Sequence, residues 1–349
     1  MMNLKTIIRS FIRRLLKTGI GCFYRYINID GLHKVPEDKP VIFVSNHNNA
    51  LIDPLLLCVN YNRTVTLTAK NTLSRDLLMK WLLNLAPVVF FSRRQDRQNG
   101  DEGRKENATA LKQLQDCLNR KECVYIFPEG KSHSNAEMMP FKTGAARLAL
   151  DYADSCAANG KPCDLQIVPL GLRYSSKSTF RSTASVSVGD PVSIVDWLEK
   201  TDSPDYPKRL TKHLYEQVDQ LVKPDHGESL EVVDTTAITR PTIRKHFEHW
   251  EQFFVGLPLL LLTFLVQALP ALITSKIISI YSTDEDHPAT VAILSGLAVF
   301  GLFHLSVAAS LAMTGLWFWL LLYLLLLVPC SMSLLSIFDW LCRNQRYAV

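Results

Sequence analysis

His47 and Asp53 stand in the stretch Ser45-Asn46-His47-Asn48-Asn49-Ala50-Leu51-Ile52-Asp53, and their types and spacing suit general-base chemistry. A neutral imidazole takes a proton near pH 7 without special tuning, and a nearby carboxylate can fix its tautomer through the other ring nitrogen. The polar stretch begins abruptly after Val41-Ile42-Phe43-Val44, an apolar run that reads as a buried strand. A plainer reading uses the same residues. Asp53-Pro54 ahead of Leu55-Leu56-Leu57 makes a good helix start, with Asp as N-cap and Pro at the first helical position.

Further along, Phe127-Pro128-Glu129-Gly130-Lys131-Ser132-His133-Ser134 follows another apolar run directly, the place where open α/β sheets bind ligands. A phosphate-loop reading of Gly130-Lys131-Ser132 fails, because that motif needs a glycine where Tyr125 stands. A nucleophilic serine elbow around Ser132 fails as well, since Ser134 occupies the place of its second glycine. What remains is a carboxylate, a flexible glycine and a lysine presented together. In Pro140-Phe141-Lys142-Thr143-Gly144-Ala145-Ala146-Arg147, a helix opens with a lysine, a hydroxyl and small residues; free amides there favour an anion, while Thr143 can also be an ordinary cap. Arg93 and Arg94 close a further apolar run, Val88-Val89-Phe90-Phe91, where a guanidinium can clamp a phosphate or simply be solvated.

These groups need a frame. Short apolar runs alternate with helical patterns, which predicts an α/β fold with a mainly parallel sheet flanked by helices. Strands are expected near Val41–Ser45, Val65–Thr68, Val88–Phe91, Cys123–Phe127, Ile167–Leu170 and Ser185–Val188. Helices are expected over Pro54–Asn60, Ser74–Leu85, Arg104–Asn119, Thr143–Ala158 and Tyr206–Val222. Four regions follow: 1–30 as an amphipathic membrane-surface helix, 31–200 as the catalytic domain, 201–250 as a helical connector, and 251–349 as a membrane domain with two or three hydrophobic segments.

With 349 residues, 48% of them hydrophobic, the chain has room for one substantial domain and more, and its apolar excess collects after Phe253. Phe253–Ile273, Ala289–Met313 and Leu316–Phe338 are each long enough to cross a hydrocarbon core of ~30 Å at ~1.5 Å per residue. Basic residues at Arg240, Arg244 and Lys245, and again at Arg343 and Arg346, want both flanks on the cytoplasmic side, which three crossings do not allow. Either the first segment, with Pro258 and Pro270, is re-entrant or interfacial, or the tail breaks the rule. At the front, Lys5, Arg9, Arg13, Arg14 and Lys17 interleave with Leu4, Ile7, Ile8, Phe11, Ile12, Leu15 and Leu16, giving one apolar helical face suited to an anionic membrane surface or to packing on the soluble domain. These charges deny it the uninterrupted core of a signal peptide. The net charge of +5 is modest and no basic cluster with interleaved aromatics recurs in the globular part, so nucleic acid is not expected as a partner. Eight cysteines without a Cys-x-x-Cys pair read as reduced thiols in a domain facing the cytoplasm, and no metal is expected.

Taken in this order, the pieces resemble the glycerolipid acyltransferase superfamily, whose blocks are a His-Asp pair, a strand-end Arg, Phe-Pro-Glu-Gly and a final Val-Pro strand, here Val168-Pro169-Leu170-Gly171-Leu172-Arg173-Tyr174. The resemblance covers roughly residues 40–192. Two features depart from the common pattern: five residues rather than four separate His47 from Asp53, and Ser132 stands where an Arg is common. Both look like the yeast-type branch that acylates glycerol-3-phosphate or dihydroxyacetone phosphate. The resemblance implies an acyl-coenzyme A or acyl-carrier-protein thioester as co-substrate, no cofactor, His47 as base with Asp53 beside it, and Arg93, Glu129 and Gly130 positioning a glycerol phosphate acceptor. Lys131 and Lys142 join that set by charge and placement. The expected reaction is acylation of the first hydroxyl of glycerol-3-phosphate in phospholipid biosynthesis, by an integral membrane protein among membrane lipids. A lysophosphatidate acyltransferase and a non-catalytic lipid-binding scaffold are the alternatives.

Overall fold

The computed structural model describes residues 4–71, 86–92, 100–133, 135, 137–200, 205–223, 250–282 and 288–327. The chain divides into two compact units, one of residues 1–18, 27–175 and 184–228, the other of residues 19–26, 176–183 and 229–349.

The first unit is organised on strand β2, Val41–Ser45, which is buried at every position. Side chains alternate across a strand, and here both faces are covered. Val41 and Phe43 pack with Leu57, Cys58 and Tyr61 on one face, while Ile42 and Val44 pack with Leu114, Leu118 and Leu148 on the other. Around β2 the sheet runs in the order β1 (Tyr26–Asp30), β7 (Thr183–Val188), β6 (Gln166–Tyr174), β2, β5 (Cys123–Ile126), β3 (Val65–Lys70), β4 (Val88–Phe91). A short β8, Val192–Ser193, pairs antiparallel with β6, as β7 does. From β6 to β4 all neighbours are parallel, with Val44 opposite both Ile126 and Pro169. That register aligns the carboxyl ends of β5, β2 and β6 side by side. Whatever leaves those ends is brought together.

Helices cover the two faces: α2 (Ile52–Cys58) on the Phe43 side, and α3 (Gly100–Asn119), α4 (Gly144–Ala158) and α6 (Tyr206–Val222) on the Ile42 side, with α5 (Ile194–Glu199) beside them. In α6 the buried positions Leu210, Leu214 and Val218 recur at the four-residue spacing of one helical face. Gly171 of β6 lets this helix lie directly on the sheet, because a Cβ there would sit 2.6 Å from Leu221 Cβ and 2.8 Å from the Leu221 carbonyl.

Helix α1, Leu4–Phe23, differs from the single apolar face expected of it. Ile12, Leu16, Ile20 and Phe23 are buried, whereas Ile7, Ile8 and Phe11 are exposed, so its apolar residues serve two faces. Arg13 ties it to the domain by donating to the main-chain oxygens of Val59 at 3.1 Å and Tyr61 at 2.7 Å. The helix stops at Phe23, and β1 follows within the span expected to be helical.

In the second unit, α7 (Trp250–Tyr281), α8 (Pro288–Met313) and α9 (Trp317–Leu327) are apolar helices. Among the described residues α8 alone is long and apolar enough to cross a membrane. The first segment is a continuous helix through Pro258 and Pro270, without the break a re-entrant element would need. Gly19 permits close packing of the end of α1 on α8, since a Cβ there would meet Leu297 at 2.8 Å. The link 176–183 is held to the turn after α1 by Arg181, which donates to the oxygens of Gly21 and Cys22.

Five of the six expected strands match to within a residue or two at each end; β6 runs further, to Tyr174. The expected helix Ser74–Leu85, Arg93 and Arg94, the acidic stretch near Asp225–Asp234 and the end of the last hydrophobic segment lie outside the described residues.

Gly171→Ala is a test of the α6 contact. Forcing a methyl against main-chain atoms costs about 1–3 kcal/mol, so the variant should melt at a lower temperature than the wild type in the same detergent. Identical melting curves would show that α6 can move away freely.

Candidate active site

Asp53 lies in the first turn of α2, and its carboxylate is fully buried. It does not cap the helix as an Asp at that position can. Oδ2 instead accepts His47 Nδ1 at 2.9 Å, Asn48 N at 2.9 Å and Asn49 N at 2.8 Å, and Oδ1 accepts the Tyr174 hydroxyl at 2.6 Å. The chain reverses at Ala50, whose φ of 35° is unusual for a residue with a Cβ. That turn swings a carboxylate six positions on back beneath the imidazole, which accommodates the wider His–Asp spacing.

An ionised carboxylate only accepts hydrogen bonds, so Nδ1 of His47 carries the proton and Nε2 carries the lone pair. The ring stacks on Phe127, with centroids 4.0 Å apart and planes at 25°, and its side chain is 17% exposed. Exposure at this level leaves Nε2 reachable while the rest of the ring is held. The arrangement can take a proton from a hydroxyl and keep the resulting imidazolium next to a negative charge.

The preceding residues fix the loop to the sheet. Asn46 is buried and pairs both ways with the Leu172 main chain, donating to its oxygen at 2.9 Å and accepting its N–H at 2.8 Å. Ser45 Oγ donates to the Asn46 oxygen at 2.9 Å and meets Tyr125 Oη at 2.8 Å. Burial holds the Tyr125 phenol well above its usual range, so it stays a donor to Ser45.

Glu129 is turned inward and almost fully buried. Oε1 accepts the main-chain N–H of His47 at 2.9 Å, and Oε2 accepts Met139 N at 3.2 Å and pairs with His133 Nε2. Gly130 has a φ of 79°, and a Cβ on it would fall 2.5 Å from Lys142 Nζ. The glycine is therefore both a left-handed turn and the floor beneath an ammonium group. Lys142 is held there by its own N–H, which donates to the Pro128 oxygen at 2.9 Å. Lys131 is exposed on the turn after Gly130. Thr143 is the N-cap residue of α4, but its side chain makes no capping bond.

Arg93 lies outside the described residues, yet the residue before it is fixed. Asn107 of α3 accepts the Ser92 N–H at 2.8 Å and donates to the Ser92 oxygen at 3.0 Å, pinning the end of β4. Among the described residues no group of His, Cys, Asp and Glu gathers where a metal could sit. Burial pushes the thiols of Cys58 up to about 12 and of Cys123 up to about 11, so neither is a ready nucleophile.

Tyr174, His133, Asn46 and Asn107 belong to this arrangement and had no role in the reading of the sequence. Tyr174, His133 and Asn46 stand inside the motifs quoted for it, and that is the one signal that pointed toward them.

The sheet sets these loops at adjacent carboxyl ends, and residues 26–173, which include them, match the family model described as Acyltransferase. Among known proteins the chain is similar to glycerol-3-phosphate O-acyltransferase 1 of Saccharomyces cerevisiae, 26% identical over 296 residues that make up 61% of this chain and 38% of that protein. Glycerol-3-phosphate O-acyltransferase 2 of the same yeast is 32% identical over 113 residues, covering 32% of this chain and 14% of the relative. Human 1-acyl-sn-glycerol-3-phosphate acyltransferase alpha is 31% identical over 142 residues, 40% of this chain and 47% of its own length. The chain thus spans less than two fifths of the length of either yeast relative. The crystal structure of the acyltransferase PlsC from Thermotoga maritima aligns with a TM-score of 0.45 and 17% identity over 62% of this chain and 79% of its own. A likeness that slight carries no assignment.

Two substitutions separate the parts of the pair. His47→Ala removes the base and should lower turnover by ~10²–10⁴-fold, the range that general-base catalysis contributes. Tyr174→Phe leaves the base in place but strips one donor from a buried carboxylate, a bond worth ~1.5–3 kcal/mol, so it should melt earlier and lose on the order of tenfold in turnover. A Phe variant equal to wild type in both melting and turnover would remove Tyr174 from the site.

Proposed function

We propose that the protein transfers a fatty acyl group from an acyl thioester to the first hydroxyl of glycerol-3-phosphate. The observation that carries this reading is the buried Asp53 carboxylate bonded to Nδ1 of a partly exposed His47, which leaves Nε2 as the acceptor for a substrate proton. The yeast-type similarity supports the choice of acceptor.

An alcohol ionises far above pH 7 and needs a base as it attacks, whereas a thiol leaving group with a pKa near ~8.5 departs with little acid help. One histidine suffices. His47 takes the hydroxyl proton while that oxygen bonds to the thioester carbonyl carbon; the C–S bond then breaks, and the proton passes to the departing thiolate. Asp53 steadies the imidazolium through Nδ1. No acyl-enzyme is needed, and the raised thiols of Cys58 and Cys123 are in no state to form one.

Lys142, poised over Gly130, is the best-placed cation for the acceptor phosphate, with Lys131 at the rim and Arg93 assigned by resemblance. Glu129 supports the loop rather than the acceptor, since its oxygens are already engaged. Coenzyme A or a carrier protein can present the thioester. For location we propose an integral membrane protein with its catalytic domain toward the cytoplasm, supported by the apolar helix α8 and by the exposed Ile7, Ile8 and Phe11 of α1 beside Arg14 and Lys17.

A second reading, acylation of lysophosphatidate, is favoured by the similarity to the human 1-acyl relative. Purified protein given labelled acyl-coenzyme A with glycerol-3-phosphate, dihydroxyacetone phosphate or lysophosphatidate in separate reactions decides between them. Glycerol-3-phosphate should be the best acceptor. Lys142→Ala and Arg93→Ala should each cost about tenfold to a hundredfold in kcat/KM with a phosphorylated acceptor, the worth of a charge-assisted pair of ~1.5–3 kcal/mol, and leave glycerol unaffected. Use of lysophosphatidate alone would overturn the acceptor, and inactivity with every thioester would favour a lipid-binding scaffold.

A further inference from the structure

We propose that His133 and Glu129 form a positioning pair that sets the main chain of His47, so that His133 is a positioning residue for the transfer reaction; the proposal rests on His47 being the base. Glu129 is buried with no lysine or arginine in salt-bridge contact among the described residues, so its charge is met by donors alone. Two of these are main-chain groups, His47 N–H at 2.9 Å and Met139 N–H at 3.2 Å. The third, and among the described residues the only side chain bonded to it, is His133 Nε2.

The tautomer of His133 follows from its other nitrogen. Nδ1 accepts the Asn135 N–H at 3.2 Å, so the ring proton resides on Nε2 and points at Glu129. The main chain of His133 completes the grip, because its N–H donates to the His47 oxygen at 3.2 Å. Both polar groups of residue 47, its N–H and its C=O, are therefore bonded to the segment 129–133. With the Cα–Cβ direction fixed in this way, Asp53 and Phe127 have only the ring rotation left to set.

Removal of the His133 donor leaves Oε2 with a single long bond. A buried carboxylate so depleted turns toward other donors, and the His47 N–H is the group it releases. Displacing a reacting group by about 1 Å costs on the order of a hundredfold in rate, whereas substrate binding is untouched when the displaced residue holds none of the substrate's charge.

Glutamine and asparagine at position 133 separate this function from mere packing. A glutamine amide nitrogen overlies Nε2 and still reaches Glu129; an asparagine amide overlies Nδ1, can accept from Asn135 and falls short of Glu129. In the full chain in detergent, His133→Asn should lose about tenfold to a hundredfold in kcat with KM for both substrates within about twofold, and His133→Gln should restore most of that loss. Carbethoxylation of His47 by diethylpyrocarbonate, followed by mass spectrometry, reports the imidazole without any turnover. Its rate should change in the Asn variant and return in the Gln variant. Equal kcat in wild type and His133→Asn, a change confined to KM, or a Gln variant as impaired as the Asn variant would each overturn the proposal. If the wild type transfers no acyl group, the function fails on its own, and the His47 modification rates alone decide whether the pair positions the ring.

Discussion

The buried carboxylate of Asp53 sets the ring of His47. Bringing a carboxylate out of water costs several kcal/mol even after a protein relaxes around it, and Asp53 recovers that cost through bonds from His47, Asn48, Asn49 and Tyr174. These donors come from a loop, from the loop's own main chain and from the far end of another strand. None can shift without leaving the charge underbonded. The loop after β2 is held by these bonds, and the imidazole takes its orientation from this electrostatic requirement together with its stacking on Phe127.

The parallel sheet makes this possible. Because β5, β2 and β6 run the same way in register, the groups leaving their carboxyl ends are neighbours although they are far apart in sequence. From β5 comes the turn bearing Glu129, which bonds the main chain of His47; from β6 come Leu172, which pairs with Asn46, and Tyr174, which bonds Asp53. Two buried carboxylates thus divide the work on one histidine. Asp53 orients the ring through Nδ1, and Glu129 holds the backbone that carries it.

This division explains what the sequence did and did not reveal. The His47–Asp53 pair was legible because the residue types are chemically rare together and lie in one short stretch. Strands β2, β4 and β5 were legible because continuous apolar runs flanked by polar loops leave little else to form. Tyr174 ends a quoted motif but its role was not legible, since its bond to Asp53 joins positions 121 apart. Glu129 was placed with the acceptor through the resemblance alone; its burial is a tertiary fact. Strand β1 was hidden within a presumed helix because its half-exposed, alternating side chains carry a weak signal beside the strong helical pattern ahead of it. The same pattern concealed the two faces of α1, whose buried Ile12 and Leu16 and exposed Ile7 and Phe11 merge into one stripe when only spacing is counted.

The apolar helices of the second unit follow the same rule. Gln267 of α7, His304 of α8 and Tyr323 of α9 are bonded to one another, His304 Nε2 to Gln267 Oε1 at 3.1 Å and Nδ1 to the Tyr323 hydroxyl. In apolar surroundings a polar side chain without a partner is costly, so mutual hydrogen bonds favour contact among these helices. A cluster with a member on each of three helices can satisfy its groups only when all three meet. Polar groups that must find one another thus specify the arrangement in the apolar helices, as Asp53 and its donors do beneath His47, and in both places the apolar surroundings make the requirement strict.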